Sequence, residues 1–201
     1  MVKLFSISEV FEIKKVYGKP LSNYSCGKIP YVTGTPNNNG VIGYVSAPQE
    51  AVSKGGCIAV DPIKGFALYQ SDDFVGRGFS GASINLLYND NLTETRALYI
   101  CAAIEKVAMH TAAYTNLLNS DRLKNTKIEL PVIESSDPNH TYTVDDIDWQ
   151  YMQDLIAELE QDRIAELDAY LKAAGLEDYE LTEEDKEVLS LSSKILSDKT
   201  S

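Results

Sequence analysis

Few side chains in this sequence stand where covalent chemistry would need them. There are only two histidines, His110 and His140, and three cysteines, Cys26, Cys57 and Cys101. A nucleophilic triad needs a histidine oriented by a carboxylate beside an activated hydroxyl or thiol. His110 lies in "VAMHTAAYT", at the end of an apolar stretch, and no Gly-x-Ser-x-Gly elbow occurs. His140 lies in a polar stretch, and neither histidine has metal-ligand spacing from a cysteine. Asp72-Asp73 lacks the Glu-x-Lys that a nuclease metal site would use. The run Gly76-Arg77-Gly78-Phe79-Ser80-Gly81 lacks a P-loop lysine and dinucleotide spacing. Neither an Asn-Pro-Pro-Tyr-like adenine-methylation motif nor a Phe-x-Gly-x-Gly motif is present. The chain therefore reads as noncatalytic by itself. What it offers instead is the polar string Asn37-Asn38-Asn39-Gly40, set between two apolar runs. That string is either a hairpin turn or a recognition loop held out by one.

Short strands must position these groups. Candidates are Phe11–Tyr17, Ile29–Thr33, Val41–Val45, Cys57–Val60, Phe66–Tyr69 and Ala82–Leu87, rich in β-branched and aromatic residues. Gly- and Asn-bearing turns separate them, as at Asn39-Gly40, Lys54-Gly55-Gly56 and Lys64-Gly65. This spacing fits a curved sheet better than a βαβ alternation. Leu98, Cys101, Ala102, Ile104 and Ala108 recur near helical spacing and predict a buried helix over Glu94–Met109. Ser120-Asp121 reads as the cap of a short turn, and Lys127–Leu130 as a strand closed by Pro131. Residues 134–144 read as a polar linker. Beyond it Thr143 and Asp146 fit a capping box, with Asp145 and Asp148 as competing caps. Met152, Leu155, Ile156, Leu159, Ile164, Leu167 and Leu171 then form an apolar stripe on a long helix stopped by Gly175. About 26 residues at 1.5 Å each make it roughly 39 Å long. That is too long for a small domain to cover, so part of the stripe wants an outside partner. Thr182–Leu196 predicts a second, shorter helix.

The expected fold class is α+β: a curved β-rich domain over 1–133 with a small internal helix, a linker over 134–144, and a helical arm over 145–201. No apolar run approaches a membrane span. The first residues do not read as a signal peptide, and three widely spaced cysteines, odd in number, suit a reducing compartment, so a cytoplasmic location is expected. The formal charge of −12 would seem to exclude nucleic acid, but it is unevenly spread. Met1–Leu130 holds 13 Lys/Arg and 11 Asp/Glu, whereas Pro131–Ser201 holds 5 and 19. Local charge, not total charge, meets phosphates, so the first part retains the electrostatics for DNA.

Four segments, taken in order, resemble a known family. "GKIPYVTGTPNNNGVIGYV" resembles the early part of a target recognition domain from the DNA specificity (S) subunits of type I restriction-modification systems. "GGCIAVDPIKGFALYQSDDFVG" resembles its middle strands, "NLLNSDRLKNTKIELPV" its closing segment, and "DIDWQYMQDLIAELE" the opening of its spacer helix. A full subunit carries two such domains and two spacers, so this chain looks like a half-subunit form. It departs from the family where a longer acidic linker replaces the usual Pro-x-x-x-Gln-x-x-Ile, and in "GRGFSG". Leu176–Ser201 is not covered. The resemblance implies a domain that reads a half-site in double-stranded DNA through major-groove loops. It also implies an arm that pairs with a second spacer helix, as a homodimer or with a second specificity half. Methylase (M) and restriction (R) subunits would supply S-adenosylmethionine, Mg²⁺ and ATP, with no cofactor on this chain.

The side chains suit that role. Asn and Gln pair with adenine and Arg or Lys with guanine. Thr33, Thr35, Asn37, Asn38, Asn39, Lys64, Arg77, Tyr114, Asn116, Arg122 and Lys124 are the candidate DNA contacts. Lys14, Lys15, Lys19 and Lys54 are further phosphate candidates. Each also has a plain structural role available. Asn39-Gly40 is a type I′ hairpin signal that would leave Asn37 and Asn38 pointing outward. Thr33 could pack in its strand, and Arg77 could be a surface charge. Two alternatives stand beside this reading. One is a β-rich carbohydrate- or protein-binding module with a dimerisation arm. The other, ranked last, is an enzyme using Asp72, Asp73 or His110.

Overall fold

The computed structural model describes residues 1–78, 83–111 and 117–176, without the side chains of residues 109–111. Ten strands are seen among them: β1 Val2–Ser6, β2 Glu12–Lys15, β3 Ser25–Val32, β4 Val41–Ser46, β5 Val52–Ser53, β6 Cys57–Val60, β7 Ala67–Gln70, β8 Phe74–Gly76, β9 Asn85–Tyr88 and β10 Lys127–Pro131. The α-helices are α1 Ile7–Val10, α2 Glu94–Thr111, α3 Ser120–Asn125 and α4 Trp149–Ala173. The α+β class is as expected, and the strand positions agree with the punctuation by Gly and Asn. Tyr114 and Asn116 lie outside the described residues, as does the helix expected over Thr182–Leu196.

The strands form an antiparallel pair β1-β10 and two four-stranded sheets, β2-β9-β6-β7 and β4-β3-β8-β5. The β2-β9-β6-β7 sheet is antiparallel throughout. Its central strands are apolar on both faces, because side chains alternate by strand period and both faces are covered. From β6, Ile58 and Val60 enter the main apolar cluster with Ile100, Ile104, Ile128 and Leu130. Cys57 and Ala59 enter a second cluster with Val16, Val32, Phe74 and Leu86. The other four-stranded sheet contains a parallel pair, Tyr31 beside Val75 and Val32 beside Gly76. Parallel strands end at the same edge, so this register sets the residues after β3 beside those after β8.

Several expectations need correction. β1, β5 and β8 were not foreseen. The buried face of α2 is Ala97, Ile100, Cys101, Ile104 and Ala108, while Leu98 and Ala102 are exposed. The cap of α3 is Asn119, whose side chain accepts from Arg122 N at 3.0 Å, not Ser120-Asp121. Thr143 and Asp146 do form a capping box, but on the single 3-10 turn Val144–Asp146. Asp148, one of the competing caps, caps α4 by accepting from Tyr151 N at 2.8 Å, and Gly175, left-handed at φ 67°, does stop the helix just past Ala173, as expected. Met152 does not belong to a pairing stripe: it is fully buried in the main cluster. Leu155, Ile156 and Leu171 are half-buried.

The chain divides into two units, Met1–Ala157 and Glu158–Ser201. In the second, Leu159, Ile164 and Leu167 are 55%, 68% and 58% exposed. That contrast with Met152 gives a direct test. Met152→Ala should lower stability by about 2–5 kcal/mol through lost burial and a residual cavity. Leu167→Ala should change it by no more than about 0.5 kcal/mol. Urea denaturation followed by circular dichroism reads both.

Candidate nucleic-acid interface

The turn between β6 and β7 is built by Asp61-Pro62-Ile63-Lys64-Gly65. Asp61 Oδ2 accepts from Lys64 N at 2.6 Å, Gly65 N donates to Asp61 O at 3.0 Å, and Asp61 N donates to Phe66 O at 2.7 Å. An aspartate followed by proline at the head of a turn does this by bonding its own downstream backbone. The fold lifts Lys64 to the surface and leaves Asp61 only 7% exposed. Opposite stands the segment leaving β3. Thr33 N donates to Gly40 O at 2.9 Å, and Thr35 Oγ1 accepts from Asn37 N at 3.5 Å. Gly34 lies against the Asp61 carboxylate, where any Cβ would collide with Oδ1. The parallel register of β3 and β8 brings Arg77 alongside.

Thr33, Thr35, Lys64 and Arg77 thereby line one open cleft of about 460 Å³, with Asp61 on its wall. Four of the sequence-predicted residues, drawn from three separate segments, meet there. Among the described residues no ion pair includes Lys64 or Arg77. Both side chains are exposed. Asp61 is the residue that sequence reading missed. Its signal was present in "DPIKG", but a turn-forming aspartate gives no hint that the turn flanks a cleft. Burial pushes the Asp61 carboxyl above its ordinary range. Hydrogen bonds from Lys64 N and Ile63 N and the Lys64 charge act the other way.

The asparagine string serves differently from the expected two-residue hairpin. Asn38 and Asn39 are both left-handed, at φ 48° and 49°, and Gly40 follows at φ 79°. Asparagine tolerates that region better than most residues, and glycine takes it freely. The Asn38 amide is not free, since it donates to Val41 O at 3.1 Å. Asn39 is held twice: its Nδ2 donates to Tyr69 O at 2.8 Å, and its carbonyl accepts from Gln70 Nε2 at 3.0 Å. Asn37 remains exposed. Asn39 lines a second open cavity of about 460 Å³ with Lys28, Tyr44, Gln70, Asp72 and Asp73. Here too the aspartates shape turns: Asp73 Oδ1 accepts from Gly55 N at 2.8 Å and Asp72 Oδ2 from Ser71 Oγ at 3.2 Å.

Arg122 and Lys124 are not among the cleft residues. Arg122 donates to Leu117 O at 2.9 Å, and Lys124 is 3.8 Å from Asp121. Lys14 is paired with Glu12 at 3.0 Å and sits over the Tyr88 ring, whereas Lys15, Lys19 and Lys54 are exposed. Among the described residues no three His, Cys, Asp or Glu side chains converge as metal ligands would, and no helix is long and apolar enough to cross a membrane.

Against known proteins, a family described as "Type I restriction modification DNA specificity domain" matches residues 1–169. No curated protein sequence matches the chain. Three solved structures share its fold. The S subunit of a type I restriction-modification system from M. genitalium is 13% identical, with a TM-score of 0.51, covering 86% of this chain and 42% of that one. The HsdS subunit from Thermoanaerobacter tengcongensis is 15% identical, with a TM-score of 0.53, covering 98% and 44%. A chain from a structure of type I R-M complex assembly and conformational transition is 20% identical, with a TM-score of 0.54, covering 98% and 45%. The chain thus spans under half the length of the structures it matches.

The upward shift at Asp61 has a signed consequence. The folded state holds this proton more tightly than the unfolded chain does. Stability from this group is therefore greatest in acid and falls as pH rises from the ordinary aspartate value near 3.8 through the raised folded value. Asp61→Asn keeps a carbonyl for Lys64 N and removes the buried charge. It is expected to raise the urea midpoint at pH 7, with the difference from the wild type shrinking toward pH 3.

Proposed function

The chain belongs to the type I restriction modification DNA specificity domain family, and on that premise we propose that it is a noncatalytic DNA-recognition component that reads a half-site in duplex DNA. The observation that carries this reading is the cleft, where Thr33, Thr35, Lys64 and Arg77 converge from three segments and neither cation has an ion-pair partner among the described residues. Unpaired cations are what a phosphate backbone requires, and hydroxyls and a guanidinium are what base edges require. Lys64 serves as a phosphate contact, and Arg77, at the end of β8, as a base-reading donor. The acidic C-terminal part would be repelled by phosphates, so it serves protein contacts and not DNA.

Those contacts are assigned to α4. Leu159, Ile164, Leu167 and Tyr170 leave a large apolar surface in water, which suits pairing with a second spacer helix from another copy or another specificity half. Methylase and restriction subunits would be recruited alongside, bringing S-adenosylmethionine, Mg²⁺ and ATP. This chain would supply only the address.

The test is selection from a randomised duplex pool with the full chain, followed by titration across salt. A short motif should be enriched. Lys64→Ala should weaken binding to all sequences alike and reduce the log–log salt slope by about 0.9. Arg77→Ala should erase preference at one base pair. Failure of the full chain to retain any duplex at low salt sinks the proposal. For the arm, Leu159→Asp with Leu167→Asp should turn a dimer into a monomer in sedimentation; an unmutated protein that stays monomeric at tens of micromolar removes self-pairing.

A further inference from the structure

We infer that Asp61 is a specificity-determining residue of this cleft, accepting a hydrogen bond from the exocyclic amino group of one base, cytosine N4 or adenine N6, presented in the major groove. This rests on the DNA-reading role proposed above and adds to it the chemical sign of one read position.

The donor and acceptor inventory of the cleft carries the argument. Lysine and arginine only donate, and threonine hydroxyls both donate and accept, so they tolerate either kind of base edge. Among the described residues Asp61 is the one carboxylate lining the cleft, and an ionised carboxylate only accepts. An amino group placed against it gains a charge-assisted hydrogen bond. A carbonyl in the same place, guanine O6 or thymine O4, would set lone pairs against a carboxylate more than nine-tenths buried. Rejection by an unpaired buried group is the stronger source of discrimination.

The turn alone does not explain the charge. Lys64 N needs an acceptor, which an asparagine or serine would supply without burying an anion. The Oδ2 bond to Lys64 N and the bond from Ile63 N leave acceptor capacity on a group with about four lone-pair sites. Lys64 and Arg77 line the same cleft as the carboxylate and form no ion pair with it. Phosphates entering the cleft would therefore meet the cations while a base meets Asp61. Gly34 completes the arrangement, since only a residue without Cβ lets the Thr33–Thr35 segment lie against the carboxylate.

The experiment takes the motif enriched by the wild-type full chain and removes one amino group at a time. Cytosine is replaced by 2-pyrimidinone and adenine by purine, and binding is followed by fluorescence anisotropy. One replacement should weaken binding about 10- to 100-fold, and its identity tells cytosine from adenine. The same replacement should have no effect on Asp61→Asn. In that variant the amide would face the base, and a fresh selection should prefer a carbonyl-bearing base at that one position. If a motif is obtained but no single amino deletion weakens binding more than twofold, or if Asp61→Asn selects an unchanged motif, this inference fails while the DNA-reading role stands. If no motif is obtained at all, the role itself fails and takes this assignment with it. The base replacements act on the wild-type protein, so the outcome does not depend on how the variant folds.

Discussion

Burial of one apolar cluster, assembled from residues as distant as Phe5 and Met152, is the constraint on which the remaining geometry depends. It fixes α2 against β7 and β10 and covers one face of the β2-β9-β6-β7 sheet. The other face of that sheet meets a second cluster containing Val32 and Phe74, the point where the two four-stranded sheets come together. Thr33, Thr35, Asp61, Lys64 and Arg77, the polar residues of the cleft, belong to neither cluster. They sit where strands end, on backbone whose path is set by side chains pointing the other way. A cleft built thus can change its polar groups with small effect on folding, because the energy of folding lies elsewhere.

Local signals were legible wherever the backbone itself was the subject. Gly-Gly, Asn-Gly and Lys-Gly pairs marked the turns correctly, because those residues are chosen for φ/ψ regions that others avoid. The interior strands were legible because "CIAV" and the "LLY" after Asn85 are apolar without alternation, as strands covered on both faces must be. The Leu98 and Ala102 assignments on α2 were wrong because a helix packed on one side by a sheet and on another by β10 has no clean stripe. β1 was missed because Val2 and Leu4 face solvent, exposed by 50% and 60%, so its apolar residues were not those of a covered face.

The cleft was half legible. Residue type alone selected Thr33, Thr35, Lys64 and Arg77, since reading DNA demands those groups. Their meeting was not readable, because it rests on the parallel pairing of β3 with β8 across more than forty residues of chain. Asp61 was missed because "DPIKG" shows no more than a turn in the sequence, and the cleft beside it is made by distant segments. The asparagines erred in the opposite direction: three adjacent amides suggested recognition, and two of them are occupied in holding the loop closed.

The path between β10 and α4 has a historical implication. Ile133 N donates to Asp146 O, Asp148 N donates to Pro131 O, and Val132 pairs with Ile147. The chain that leaves after Ile133 thus comes back to the same spot before α4 begins. Whatever happens in the intervening dozen residues, the ladder on either side is already closed. Insertions and deletions there can accumulate by drift without disturbing the ladder, because lengthening a closed loop adds little entropy penalty. The acidic stretch of this sequence therefore sits where the fold leaves chain length free to vary.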